Sequence, residues 1–513
     1  MEQPIIPDAL PLSQGEFQSR LAGSKELIQT IHPMRRRLLT LFGIPMAWFF
    51  ANHYLASPRG FYQALFWPFF VLVGFWFFKD YLRYRDITVV FGLGAVLAGS
   101  AHAALYASVP LSVINFIGLP LLAVFSLILA LRSHPNMTPR PFLTALDVLL
   151  TGPLRSLYYL PGFLRSPGHK PVKATSRKTA QDVVIGLLIT LPLILFLLSL
   201  LTRADAEFAR SLGSFWQNFL SGFQLSQAAS RIVGTLMALV YFLGVIITLL
   251  LTRDHPPMVI STDSKHSSTI SLVVLWSVNT LYALFTLTQF RTLYFPKTAL
   301  SAMNQSISQY ARSGFFSLLL VLAINLFLLW VLYSFTSDSP LTNRWMKSGF
   351  LLMMLFTANM IISSFYKMGL YESEFGYTHL RLFVKFALIF FALGLILVGL
   401  HLAGKNRSLL KSLTLLALSL YMVLNLLNLD GLIAVKAQSI YQNRGRLDIA
   451  YLSELTADAY GPMKAAFQFD QASDPRIIEL KNKYTGKIYH DLNDEYLLLH
   501  PLARTLSELR IRP

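Results

Sequence analysis

Residues 382–402 read LFVKFALIFFALGLILVGLHL, an apolar run interrupted by a single lysine. A bilayer core needs about 20 apolar residues for one helical crossing, and this run has that length. The same reading repeats along the chain. Eleven such stretches lie at roughly 38–56, 62–78, 87–106, 111–131, 181–202, 230–252, 269–291, 311–335, 347–366, 382–402 and 409–428. A 513-residue water-soluble protein has no use for so many long apolar segments. The expected fold is all-α, a polytopic membrane helical bundle of about eleven transmembrane helices with a small helical C-terminal extramembrane domain.

Composition agrees: 54% of residues are apolar, 14% are charged and the mean hydropathy is +0.51. A charge at the bilayer centre costs about 2.5–3.5 kcal/mol on insertion scales, which accounts for the scarcity. Cysteine is absent, so no disulfide framework or thiolate chemistry is available. The net charge of +18 is not a nucleic-acid signature. From Leu429 onward eleven basic residues balance eleven acidic ones, so the excess lies entirely with the apolar segments. Cytoplasmic loops of membrane proteins carry such an excess. With the N-terminus inside, inner segments hold 23 Lys and Arg and outer loops hold 8. That places the N-terminus in the cytoplasm and, with an odd number of spans, residues 429–513 outside.

Five regions follow: a cytoplasmic tail over 1–37, a four-span front bundle over 38–131, a cytoplasmic segment over 132–180, a seven-span rear bundle over 181–428 and a polar region over 429–513. Within 132–180, Phe142, Leu146, Leu149, Leu150, Leu154, Leu157 and Tyr158 recur at helical spacing. Such a helix lies flat in the membrane interface. The basic stretch that follows it, ending at Lys178, belongs near anionic lipid. In the polar region one short helix is expected through Leu447, Tyr451, Leu452 and Leu455, ending before Gly461-Pro462. Others run through Ile477, Ile478, Leu480 and Tyr484, and through Leu502, Leu506 and Leu509.

Two sets of polar residues are candidates for function. Asn279, Asn325 and Asn359 fall near the middle of spans. They bond neighbouring helices or line a polar path. Arg312, Glu374, Arg381 and Asp430 fall at outer helix ends, with Lys385 one turn inside its span. Two positive and two negative groups at one level can compensate, either as a structural ion-pair cluster or as a pocket for an anionic or zwitterionic group. Phosphate-loop, zinc-protease and nucleophile-elbow motifs are all missing, so no catalytic residue, metal site or cofactor is assigned. His53 and His102 have no partner at helical spacing and read as packing residues.

Short patterns in these same segments resemble a bacterial multi-pass membrane family of unknown function. They are Ser277-Val278-Asn279-Thr280-Leu281-Tyr282, and Tyr310-Ala311-Arg312-Ser313-Gly314-Phe315-Phe316 with Asn325. They continue with Gly376-Tyr377-Thr378-His379-Leu380-Arg381, and with Asn428 and Asp430 followed by Leu447-Asp448-Ile449-Ala450-Tyr451-Leu452. The resemblance covers about residues 180–460 and implies a bacterial inner-membrane location with this span layout. It supplies no substrate.

Three function classes remain. The first is a non-enzymatic envelope scaffold or signalling component, with a protein partner reached through residues 429–513. The others are a transporter of a small polar or anionic solute and a membrane enzyme acting on lipid or envelope substrates through Glu374 and Asp430. The bilayer is the one partner common to all.

Overall fold

A computed structural model of the chain describes residues 33–54, 61–82, 86–131, 140–150, 227–252, 268–294, 315–335, 344–404 and 408–493. The described elements are helical. In order they are α1 (Pro33–Phe49), a π-helical turn (Phe50–Tyr54), α2 (Phe61–Phe77), α3 (Ile87–Leu105), α4 (Val109–Leu131), α5 (Arg140–Leu150), α6 (Gln227–Thr252), α7 (Ser268–Tyr294) and α8 (Phe315–Phe335). They continue with α9 (Arg344–Phe375), α10 (His379–Leu402), α11 (Leu409–Leu426), α12 (Leu429–Arg444), α13 (Ile449–Glu454), α14 (Tyr460–Phe467) and α15 (Pro475–Asn493).

Among the described residues six helices are long and apolar enough to cross a membrane: α3, α4, α6, α9, α10 and α11. Four more expected spans coincide with α1, α2, α7 and α8, where the described apolar segments are shorter. The expected span at 181–202 lies outside the described residues, as do Arg312 and the expected helix near Leu506. Within α5, Phe142, Leu143, Leu146 and Leu150 are exposed while Ala145 and Val148 are buried, so the helix carries one bare apolar face.

The chain divides into two compact units. In one, α1 and its π-helical turn pack on α6. Gly43 meets Leu239 there, and Asn52 Nδ2 donates to Thr235 Oγ1 at 3.2 Å.

The other unit holds α2 to α4, α7 to α15 and the candidate site, and the boundary between the units falls within α5. Helix α3 is its small-residue core. A Cβ on Gly99 would fall 2.5 Å from the Tyr421 hydroxyl, and one on Gly92 equally close to Ser126 Oγ. Close approach of this kind is how helices associate where the hydrophobic effect no longer discriminates. It lets α11, distant in sequence, pack on α3. Lys411 Nζ bonds Asp86 Oδ1 at 2.6 Å and ties the two helix starts together. A second cluster joins α7 to α10 through Leu275, Leu322, Phe350, Met353 and Leu388, all buried.

A third apolar cluster positions the site. Leu111 of α4 and Leu382 of α10 join Leu429, Ile433, Leu452, Met463, Leu480 and Tyr484 from α12 to α15. The helices after Leu429 are therefore built directly onto the ends of α4 and α10. Side chains cap α12 and α13. Asn428 Oδ1 accepts the Gly431 N–H at 2.8 Å, and Asp448 Oδ1 accepts the Tyr451 N–H at 3.1 Å. Gly445 closes α12 with φ +64°, which favours glycine.

Candidate functional site

Glu374 ends α9, and a three-residue turn with Gly376 at φ +73° leads into α10. Thr378 caps α10 by accepting the Arg381 N–H at 3.4 Å. This turn faces α12 and the start of α13 across a cleft of about 480 Å³. The cleft is walled by Arg381, Glu374, Arg446, Tyr377 and Tyr451, and floored by Ile433, Ala437, Ile440 and Leu452.

Glu374 and Arg381 both line the cleft, but they are not each other's partners. Glu374 pairs with Arg444, and its other oxygen lies 3.7 Å from Arg446. Arg381 Nη1 donates to the Phe375 and Gly376 carbonyls at 2.9 and 2.6 Å, and its guanidinium carbon stacks 4.2 Å over the Tyr371 ring. Lys385 takes Glu372, at 2.6 Å, and lies over the Tyr377 ring.

Asp430 occupies a layer behind the cleft. It is 1% exposed, and three donors converge on it. His379 Nε2 reaches Oδ1 at 2.5 Å, while the Thr456 N–H and hydroxyl reach Oδ2 at 2.9 and 2.5 Å. Burial works to raise the Asp430 pKa, but the hydrogen bonds from His379 and Thr456 outweigh it and hold the carboxyl below its ordinary value. A carboxylate only accepts, so His379 donates through Nε2. In the neutral ring Nδ1 is then an acceptor, and it meets the Tyr451 hydroxyl at 3.2 Å. The same hydroxyl accepts the His379 N–H at 3.1 Å. Tyr451 is thus held in the cleft wall by a chain that begins at Asp430. Its phenol pKa is raised, chiefly by burial.

The membrane-depth asparagines lie elsewhere. Asn325 is fully buried, accepts the Tyr282 hydroxyl and donates to Thr357 Oγ1 at 3.0 Å. Asn279 Nδ2 donates to the Gly349 carbonyl at 2.9 Å. Asn359 is half-buried on α9. These residues join α7, α8 and α9.

Another buried network joins α3, α4 and α11. Asn115 Nδ2 donates to Asn425 Oδ1 at 2.6 Å, and Asn115 Oδ1 accepts the Tyr421 hydroxyl at 2.7 Å. His102 Nδ1 meets the Asn425 carbonyl at 3.1 Å. Since a carbonyl only accepts, Nδ1 donates, and the buried Nε2 is left without a partner. Sequence reading gave His102 a packing role and did not single out Asn115, Asn425, His379 or Thr456. Only an Asn in each of two apolar runs hints at the Asn115–Asn425 pair. No sequence spacing joins His379 to Asp430.

Among the described residues no cluster of His, Asp and Glu has the form of a metal site. The described residues define an all-helical fold with helices long and apolar enough to cross a membrane and a polar cleft at the α9–α10 turn. The chain belongs to the family described as a domain of unknown function (DUF4153), which matches residues 87–466. That match opens at the first residue of α3 and reaches into α14, so it takes in both buried polar networks and the cleft. No curated protein and no solved structure matches the chain.

Proposed function

We propose that the chain is an eleven-span protein of the bacterial cytoplasmic membrane, with its N-terminus inside and residues 429–513 outside as a small helical domain. We assign it a non-enzymatic role as a scaffold or signalling component that meets an envelope protein through that region. The observation that carries the reading is how the membrane-depth asparagines are used. Asn325 bonds both Tyr282 and Thr357, and Asn279 bonds Gly349, within a packed apolar cluster. A solute path needs polar groups that face a cavity, whereas these hold helices together. A second reading, a transporter of a small polar or anionic solute, draws on the buried His102 Nε2, Ser100 Oγ and Ser108 Oγ, none of which has a partner.

The test uses a photo-crosslinking residue at exposed positions of α15, such as Ile478 or Asn482, in living cells. The proposal expects a discrete adduct with one envelope protein, together with no solute uptake by proteoliposomes of the purified chain. Absence of adducts from every exposed α15 position, or saturable uptake, would count against it.

A further inference from the structure

The charges around the cleft are unequally used. Of its acids, Glu374 is held by Arg444 and faces Arg446, and Asp448 accepts one backbone N–H as the cap of α13. Its cations are less committed. Arg381 commits Nη1 to two carbonyls and its face to Tyr371, yet among the described residues Nε and Nη2 meet no acceptor. Among the described residues Arg446 has only the long contact to Glu374, and it is 67% exposed. Two guanidinium groups with uncommitted N–H donors therefore line one cleft. The Nε–Nη2 edge of a guanidinium is a planar fork that matches two oxygens of a phosphate. Fixing Arg381 by stacking and by two backbone bonds removes much of the entropy that binding would otherwise lose.

The remainder of the lining is apolar. Ile433, Ala437, Ile440 and Leu452 form a floor beside the charged wall. The cleft also sits at the turn joining α9 and α10, two helices apolar enough to cross a membrane. A turn between consecutive crossing helices lies at the level of lipid headgroups. Charge, shape and depth agree on one occupant.

We propose that this cleft binds the headgroup phosphate of an anionic phospholipid, with the Nε–Nη2 edge of Arg381 as the anchor and Arg446 as the second cation. The glycerol and the first acyl carbons lie on the Ile433–Ile440 floor. The site goes beyond the scaffold reading and stands or falls independently of it.

The test is calorimetric titration of the full chain in an uncharged maltoside detergent. The probes are dihexanoyl-phosphatidylglycerol, dihexanoyl-phosphatidylcholine and inorganic phosphate. Phosphatidylglycerol is expected to saturate and to bind about tenfold tighter than phosphatidylcholine, whose phosphate offers the same oxygens but whose choline cation faces Arg446, and about tenfold tighter than inorganic phosphate, which leaves the apolar floor bare. Arg381→Gln should weaken it about tenfold or more, and Arg381→Lys, which keeps the charge and loses the fork, by an intermediate factor. Arg381 also holds the α9–α10 turn, so a folding defect could mask its effect. Arg446→Gln supplies the second arm, because an exposed side chain is removable without unfolding; it should weaken binding about threefold with unchanged melting. Unaltered affinity in Arg446→Gln and in any folded Arg381 variant would overturn the site. Inorganic phosphate binding as tightly as the lipid would overturn the lipid assignment, and absence of saturation by all three probes would overturn both.

Discussion

The most exposed claim about the site is that Asp430 organises it, and removal of its carboxylate tests this directly. Asp430→Ala strands the His379 Nε2–H and the Thr456 backbone N–H, while the Thr456 hydroxyl keeps Asp458 Oδ2 at 3.2 Å as an acceptor. Leaving a buried donor unsatisfied costs about 1–3 kcal/mol, and two donors are left so here. His379→Ala removes one of three donors and should cost about 1.5–3 kcal/mol, the range for a hydrogen bond to a charged group. The two changes act on one contact, so the double variant should lose less than the sum by about 0.5–3 kcal/mol. The assay is thermal or denaturant unfolding of the full chain in detergent, followed by the fluorescence of its seven tryptophans. A pH series adds a sign. The folded Asp430 pKa is lowered, so its contribution is complete above the ordinary carboxylate value of 3.8 and is lost as pH falls below it. The gap between wild type and Asp430→Ala should narrow only in that acid range. Additive single variants, or a gap that is flat through the acid range, would refute the arrangement.

Three further changes probe separate contacts. Glu374→Ala and Arg444→Ala should couple in a double-mutant cycle by about 0.2–1 kcal/mol, the range of partly exposed pairs, while Glu374→Ala and Arg381→Ala should add. Gly349→Ala places a Cβ 2.6 Å from Leu275 Cδ2 and should lower stability by about 1–3 kcal/mol through overpacking, read as a fall in Tm. Asn325→Leu strands the Tyr282 hydroxyl and removes the bond to Thr357, whose own hydroxyl still donates to the Met353 carbonyl, and should cost about 0.6–2 kcal/mol by the same measurement, whereas Asn359→Leu, half-buried, should cost less.

Much of the helical layout was legible because hydrophobic length is a property of one segment. The expected spans at 87–106, 382–402 and 409–428 meet α3, α10 and α11 to within a few residues. The reading lost accuracy where polarity was taken as the end of a helix. Helix α9 was expected to stop near residue 366, yet it continues to Phe375 through Lys367, Glu372 and Glu374. Helix α12 was missed because it carries polar residues among its apolar ones, and its start rests on the Asn428 cap. The short helix expected to end before Gly461-Pro462 does so as α13, and that pair falls in the first turn of α14, where proline's missing N–H costs nothing.

The site was legible as a level and not as a set of pairs, for a physical reason. Helix ends sort residues by depth, so Glu374, Arg381, Lys385 and Asp430 could all be assigned to one end of the bundle from span boundaries alone. Which of them touch depends on helix rotation and on partners that no boundary announces. Arg444 and Arg446 take Glu374 because α12 runs back over the α9–α10 turn, a direction its sequence does not encode locally. His379 takes Asp430 because Leu429 and Ile433 bury beside Leu382, which sets α12 against α10. Apolar packing thus fixes the rotations first, and the charges then pair with what lies within reach. Arg381 found no carboxylate and turned to backbone carbonyls and Tyr371, which leaves a rigid, half-committed guanidinium in the cleft wall. That unspent positive charge follows from how the bundle packs, and it is why the proposed lipid site is placed at this turn rather than among the buried asparagines.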